Sequence, residues 1–312
     1  MQPCWCWGID AGAQAFNAIV QFLSNTTISF GLLLVSFNLP AQDADFIVQA
    51  TREAHAGLKT FVAEGAVTTR IDLTATPAGK AARAKGFKGG QLGSDSAFVK
   101  PQTRASRVSL KLRRDGRYRI DGEQQVGQSF TNEGAAWNVG EGDRIQIPEK
   151  GVGRAPDKET CLNAASGFSG GASVVVPSLF YGFDADSFAA LEGLVRLPDE
   201  TLNDIPCHVI GGRIAGQNVF FWIRKSDHLI QRRKQILGGG GPPALTDEEA
   251  RKLLQESGVE PAPAAIARLK QEREEQRATF RATKGDITLA LTKTSVNEPI
   301  ADEALRPAAK PR

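Results

Sequence analysis

Phe61-Val-Ala-Glu-Gly-Ala-Val-Thr-Thr-Arg-Ile-Asp-Leu73 is the stretch on which the fold turns. Phe61, Ala63, Gly65, Val67, Thr69, Ile71 and Leu73 share one side of an extended chain, and Val62, Glu64, Ala66, Thr68, Arg70 and Asp72 share the other. One side is apolar and the other mostly polar, the period-two signature of a strand with one buried face. The run is long beside a usual strand of about 5–6 residues. Gly65 inside it predicts a bent or strongly coiled sheet.

Working outward, Asp45 reads as the N-cap of a helix in which Phe46, Ile47, Ala50, Ala54 and Leu58 recur at helical spacing, with Gly57 ending it. Pro77 to Ser96, rich in Gly, Lys and Ala, reads as a loop or insertion. Val108, Leu110 and Leu112 then alternate with Ser109, Lys111 and Arg113. Asp115-Gly116 supplies a hairpin turn, and Tyr118 and Ile120 continue on the return strand. Ala135–Val139 and Arg144–Ile147 flank Gly140-Glu-Gly-Asp143, a second hairpin signal. Residues 151–200 are less legible. There Val174-Val-Val-Pro177 reads as extended chain and Phe188 to Leu194 as a short helix.

From Pro206 the strands return as a meander of Cys207–Ile214, Asn218–Arg224 and Leu229–Ile236. Val219-Phe-Phe-Trp-Ile223 is apolar on both faces, so something packs over the sheet on each side there. Gly238 to Pro243 breaks the pattern, and Thr246-Asp-Glu-Glu249 is a capping box. Residues 238–284 read as an exposed helical insertion of two helices, Ile287, Leu289 and Leu291 resume a strand, and residues 305–312 read as a disordered tail. The class is α+β, mainly β. Antiparallel strands with one apolar face curl into a barrel or half-barrel.

The chain has 312 residues, and 38 Lys plus Arg against 35 Asp plus Glu leave a net charge of +3. That near-balance argues against a dedicated nucleic-acid binder. Hydrophobic residues at 41% and charged residues at 23% exclude a disordered chain and a polytopic membrane protein. No Lys or Arg precedes Arg52, and Ile28–Phe37 is an apolar run too short to span a bilayer. It suits the h-region of a secretory signal comprising residues 1–41, with Leu39 and Ala41 at the −3 and −1 positions, although the usual positive charge before it is missing. The alternative is a buried amino-terminal helix or strand. On the signal reading the protein is periplasmic or secreted and the domain covers residues 42–304. Cys161 and Cys207 then remain, either as a disulfide contributing about 4 kcal/mol or as two free thiols.

No catalytic or metal-binding constellation stands out. His55, His208 and His228 are far apart, with no H-E-x-x-H or C-x-x-C partner. Gly167-Phe-Ser-Gly-Gly171 matches G-x-S-x-G, but a nucleophile elbow needs a strand before Ser169 and a helix after it, and a flexible Gly-Ser loop is the preferred reading. No cofactor is implied. Arg113, Arg114, Arg117 and Arg119 cluster at one hairpin and Arg232, Arg233 and Lys234 at another, as a solvated face or as contacts to anionic headgroups or an envelope partner.

Ile205-Pro-Cys-His-Val, Phe221-Trp-Ile-Arg-Lys and His228-Leu-Ile-Gln-Arg-Arg233 resemble the carboxy-terminal meander of the periplasmic outer-membrane lipoprotein-carrier-like (LolA/LolB-like) superfamily. Phe46-Ile-Val-Gln-Ala50 with Leu58-Lys-Thr-Phe61 is similar to its first helix and strand, and Val296-Asn-Glu-Pro-Ile-Ala-Asp-Glu303 to its closing turn. Arg224 departs from the pattern, since the family often has an acid there. The resemblance covers roughly residues 44–236 and 285–304 and is closest to an uncharacterised periplasmic branch.

The resemblance implies an incomplete antiparallel barrel covered by helices, with the helical insertion before the last strand. It also implies an apolar cavity for a lipid or for lipoprotein acyl chains. The candidate lining is Phe61, Val67, Ile71, Val108, Leu110, Leu112, Tyr118, Ile120, Trp137 and Phe221, each of which plain core packing also explains. Three readings follow: a monomeric carrier of lipids or lipidated proteins, with peripheral membrane contact; an envelope sensor or interaction module on the same fold; and an enzyme of unknown type. A closed core favours the second over the first.

Overall fold

A computed structural model describes residues 39–86, 97–126, 130–147, 151–214, 216–241 and 243–307. The apolar run and most of the proposed signal lie outside these, as do residues 308–312. Eleven strands form one antiparallel sheet in the order β6-β5-β4-β3-β2-β1-β11-β10-β9-β8-β7. The first wing runs outward by hairpins: β1 Thr60–Asp72, β2 Gln102–Arg113, β3 Tyr118–Val126, β4 Phe130–Asn138, β5 Arg144–Ile147 and β6 Gly151–Arg154. Helices α3 Lys158–Ser169 and α4 Ala172–Tyr181 connect it to the far edge. The second wing is β7 Glu192–Leu202, β8 Ile205–Ile214, β9 Gln217–Arg224, β10 Ile230–Leu237 and β11 Lys284–Val296, and β11 closes on β1. The sheet stays open, with β6 and β7 as edges. Its β1 register shifts between Glu64 and Gly65, at the glycine that predicted a bend.

One continuous cluster occupies the sheet's inner side. It takes Phe61, Ala63 and Val67 from β1, Val108, Leu110 and Leu112 from β2, and Tyr118 and Ile120 from β3. From the other wing come Val219, Phe221, Ile223, Ile230, Leu289 and Leu291. Against them pack Ile47 and Val48 of α1 (Leu39–Ala56), Leu162 and Phe168 of α3, and Val176 and Phe180 of α4. On the outer side, Phe220 and Trp222 join a second, small cluster with Leu197, Leu202, Ile205, Cys207 and Val209. The both-faces pattern of β9 is therefore satisfied, but its outer cover comes from the neighbouring β7–β8 hairpin rather than from another layer. The Trp222 indole N–H donates to Glu200 at 2.8 Å.

Several elements differ from their sequence reading. Asp45 lies inside α1 rather than capping it. Within Pro77–Ser96 a helix, α2 Pro77–Ala84, starts at Thr76, whose hydroxyl accepts from the Gly79 amide, with Pro77 in the first turn. Val174–Pro177 belongs to α4, not to extended chain, because eight of the ten α4 residues are buried and packing overrides the β-branched run. Phe188–Leu194 is turn and strand, not helix. The insertion matches its reading. Thr246 and Glu249 form the reciprocal capping box of α5 Asp247–Glu256, and α6 Pro263–Ala282 buries only Ile266.

Leu305, which the sequence places in a disordered tail, is instead fully buried. The reason is a strap across the outer side of β2 and β3. Asn297 accepts from the Lys59 amide at 2.8 Å, and Lys111 donates to the Ala304 carbonyl at 3.3 Å. Asp302 is gripped by Arg117 at 2.7 Å and by Arg113. Arg117 and Arg113 hold the Asp302 carboxyl below the usual range. Arg119 donates to the Arg306 carbonyl and to Asp121. Arg113, Arg117 and Arg119 are thus engaged within the molecule rather than presented to anionic headgroups.

Candidate ligand-binding interior

Eight of the ten predicted lining residues meet in the inner cluster: Phe61, Val67, Val108, Leu110, Leu112, Tyr118, Ile120 and Phe221. Ile71 is half-buried at the far end of β1. Trp137 is a correction. Its neighbour Ala136 faces Ile120 within the cluster, whereas Trp137 pairs with Arg119 and Arg144, so its side chain leaves on the outer side. The run Ala135-Ala-Trp137 carries no polar residue to set the phase of the alternation.

The interior is filled. Phe168 of α3 lies flat enough on the sheet that a Cβ on Gly134 would sit 2.3 Å from its ring, and one on Gly122 2.6 Å. Only residues without side chains let the helix approach so closely. Gly170 and Gly171 join α3 to α4, both left-handed at φ 60° and 88°. Gly170 abuts Val67, where a Cβ would lie 2.7 Å from the valine. Phe188 stacks obliquely on Phe221 with centroids 4.7 Å apart. The sequence reading missed Leu162, Phe168, Val176 and Phe180. The signal was present in the Asp157 N-cap, the spacing of Cys161, Leu162, Ala165 and Phe168, and the Gly170-Gly171 stop.

Buried polar groups are mostly tied to backbone. Ser169 is fully buried at the end of α3, and its hydroxyl accepts from the Ser173 amide at 3.2 Å. The G-x-S-x-G segment is therefore a helix–helix junction, neither flexible loop nor nucleophile elbow. The histidines lie elsewhere: His55 bonds to Thr51, and His208 stacks on His228 with centroids 6.2 Å apart. Among the described residues no group of three or more His, Cys, Asp or Glu could hold a metal.

Cys161 and Cys207 are both free and buried, which corrects the disulfide reading. Cys161 belongs to the inner cluster and Cys207 to the outer one, so the sheet separates them. Burial pushes both thiols up, and burial likewise raises the Tyr118 hydroxyl, which sits beside Cys161. A cleft of about 690 Å³ opens on the sheet's outer side. Its walls include Glu64, Arg107, Arg119, Asp121, Glu123 and Glu133, and Pro307 of the strap borders it.

His55 is the group with the clearest pH consequence. Its Nδ1–H donates to the Thr51 carbonyl at 2.8 Å, which leaves Nε2 buried without a partner among the described residues. Burial lowers its pKa from 6.5 to about 4, partly offset by that hydrogen bond and by Asp227, while Arg224 adds to the lowering. The folded state thus keeps His55 neutral where the unfolded chain protonates it. Stability is full above pH 6.5 and falls as the pH drops from 6.5 towards 4. The expected loss is at most about 3 kcal/mol. His55→Gln should flatten the urea-midpoint profile in that window, and an unchanged slope would refute the assignment.

No family model matches the chain, and no curated protein matches it. Among solved structures it is similar to the Mycobacterium tuberculosis lipoprotein LppX, at 9% identity and a TM-score of 0.37, covering 83% of this chain and 98% of that one. It is similar to MucB in the Pseudomonas aeruginosa MucA/MucB complex, at 9% identity and a TM-score of 0.37, covering 85% and 61%. A third is a Vibrio parahaemolyticus domain of the outer membrane lipoprotein-sorting kind, at 12% identity and a TM-score of 0.32, covering 85% and 97%. Among the described residues no helix is long and apolar enough to cross a membrane.

Proposed function

We propose that this chain is a non-enzymatic, monomeric binding protein of the bacterial envelope that takes an apolar chain, from a lipid or a lipidated protein, between its sheet and α3–α4. The observation that carries the reading is the roof. α4 has no charged residue, packs directly on the apolar inner face, and is joined to α3 only through two left-handed glycines. The packed interior has to open for a ligand, so α3–α4 must lift. An acyl chain of about sixteen carbons supplies up to about 12 kcal/mol of burial, at about 0.8 kcal/mol per methylene, against that cost.

The second reading, an interaction module that binds a partner protein, is favoured by the closed interior itself, together with the charged outer cleft. Hydrogen exchange separates the two. The first reading expects α3–α4 amides to exchange through a local opening, below the global stability, that added fatty acid suppresses. The second expects those amides to exchange only on global unfolding. Mass spectrometry of organic extracts from protein purified out of its native envelope gives the direct test. If no lipid co-purifies and a fluorescent fatty-acyl probe is not taken up, the apolar-ligand reading falls. Export is tested by amino-terminal sequencing, which should begin near Gln42; a retained Met1 refutes it.

A further inference from the structure

Arg233 stands on β10 opposite Phe221 of β9 and Leu289 of β11, both members of the inner cluster, so its side chain leaves the sheet on the inner side. Its guanidinium carbon lies 5.9 Å from the Phe221 ring centroid. Nη2 donates to Gln235 Oε1 at 2.8 Å, and Gln235 Nε2 donates in turn to Gln217 Oε1 at 2.5 Å. The two amides hold the guanidinium plane, yet together they offer it a single acceptor, whereas a guanidinium carries five N–H donors.

Other inner-side arginines are accounted for. Arg196 pairs with Asp43 and Asp199, and Arg104 takes part in interactions of its own. Elsewhere the partly buried Arg113, Arg119 and Arg224 each meet a carboxylate, and Arg114 meets three backbone carbonyls. Arg233 meets none among the described residues. Burial lowers its pKa, and no neighbouring charge contributes. Arg233 is half-buried, and a partly desolvated cation without a counter-charge is held less favourably than a paired one. It becomes favourable when a ligand supplies the missing anion.

We propose that Arg233 is the anion anchor of the interior and receives the carboxylate of a single-chain amphiphile, a long-chain fatty acid, whose alkyl chain continues across Leu289 and Val67. This rests on the apolar-chain reading above. Leu289 is the neighbour of Arg233 on β11, and Val67 is the neighbour of Leu289 on β1, so an apolar row starts at the guanidinium. The planar fork of arginine matches a carboxylate. One unmatched cation balances one negative charge, which suits a carboxylate better than a phosphomonoester dianion.

The test compares cis-parinaric acid with its methyl ester on the full chain and its variants. The wild type should bind the acid about tenfold or more tightly than the ester, as expected for one charge-assisted pair. Arg233→Gln should lose the preference for acid over ester, and Arg233→Lys should restore part of it. An acid preference that survives Arg233→Gln overturns the anchor while leaving the apolar-chain reading intact.

A second readout does not depend on that reading. Butyrate, too short to fill the interior, should shift the Arg233 Nε–H resonance, identified by its loss in Arg233→Lys. If neither polyene binds, the apolar-chain reading fails alone. The butyrate response then decides the anchor: a selective shift supports it, and no shift overturns it. Equal affinity for octyl phosphate and octanoate would overturn the carboxylate preference.

Discussion

Arg114→Ala is expected to cost about 4 kcal/mol of folding stability. Arg114 follows β2 at the hairpin turn, yet its guanidinium points inward. Nε donates to the Leu58 carbonyl at 3.0 Å and Nη2 to the His55 carbonyl at 2.8 Å. Nη1 donates to the Phe180 carbonyl, and the guanidinium carbon lies 4.2 Å from the Phe180 ring centroid. Three carbonyls from the end of α1, the lead into β1 and the end of α4 thus share one cation. Charge-assisted hydrogen bonds contribute about 1.5–3 kcal/mol each, though not additively, and a desolvated cation–π contact about 2 kcal/mol. Alanine also takes the guanidinium donor from carbonyls at two helix ends, of which that of His55 keeps the Leu58 amide at 3.3 Å. Lysine keeps the charge but has no planar fork, so Arg114→Lys should recover less than half of the loss. Urea denaturation of the two variants is the measurement, and a loss below about 1 kcal/mol for alanine would show that Arg114 does not tie these three segments together.

The same residue shows where the sequence is legible and where it is not. Arg113, Arg114, Arg117 and Arg119 are visible as a cluster, and a cluster at a hairpin looks solvent-facing. Beyond the local Asp115 and Asp121, their partners are carbonyls and a carboxylate at residues 55, 58, 180, 302 and 306, which no local pattern brings near. The strands behave differently. β1, β2 and β3 each carry an apolar face in period two, and the register that pairs Phe61 with Leu112 and Leu110 with Ile120 puts those faces on one side. The interior wall is therefore readable from local alternation. Its roof is not. Val174-Val-Val-Pro177 has the composition of a strand edge, and it is helical because the burial of Val175, Val176 and Pro177 outweighs χ1 restriction and a missing amide. Trp137 fails for a simpler reason, since an apolar triplet leaves the phase undetermined.

Phe168→Ala tests the roof and is expected to cost about 3–5 kcal/mol, the range for removing a buried aromatic ring. The wall beneath the ring is built of Gly122 and Gly134, which have no side chains to move into the space, so the void persists. An apolar void of this kind stays dry and admits small apolar guests. Phe168→Ala should therefore gain a xenon or benzene site that the wild type lacks. If α3–α4 is the gate for a longer chain, the variant should also take up a polyene fatty acid faster, because less packing has to be broken to lift the helices. The glycines supply an internal control. Gly134→Ala alone places a methyl inside the Phe168 ring and should be strongly destabilising, whereas in the Phe168→Ala background it should be close to neutral. The double-mutant cycle would then give a coupling of about 2 kcal/mol. Additive losses would mean that ring and glycine do not meet as described. A void that binds benzene without any change in fatty-acid uptake would leave the interior as plain core and move the function to the outer side of the sheet.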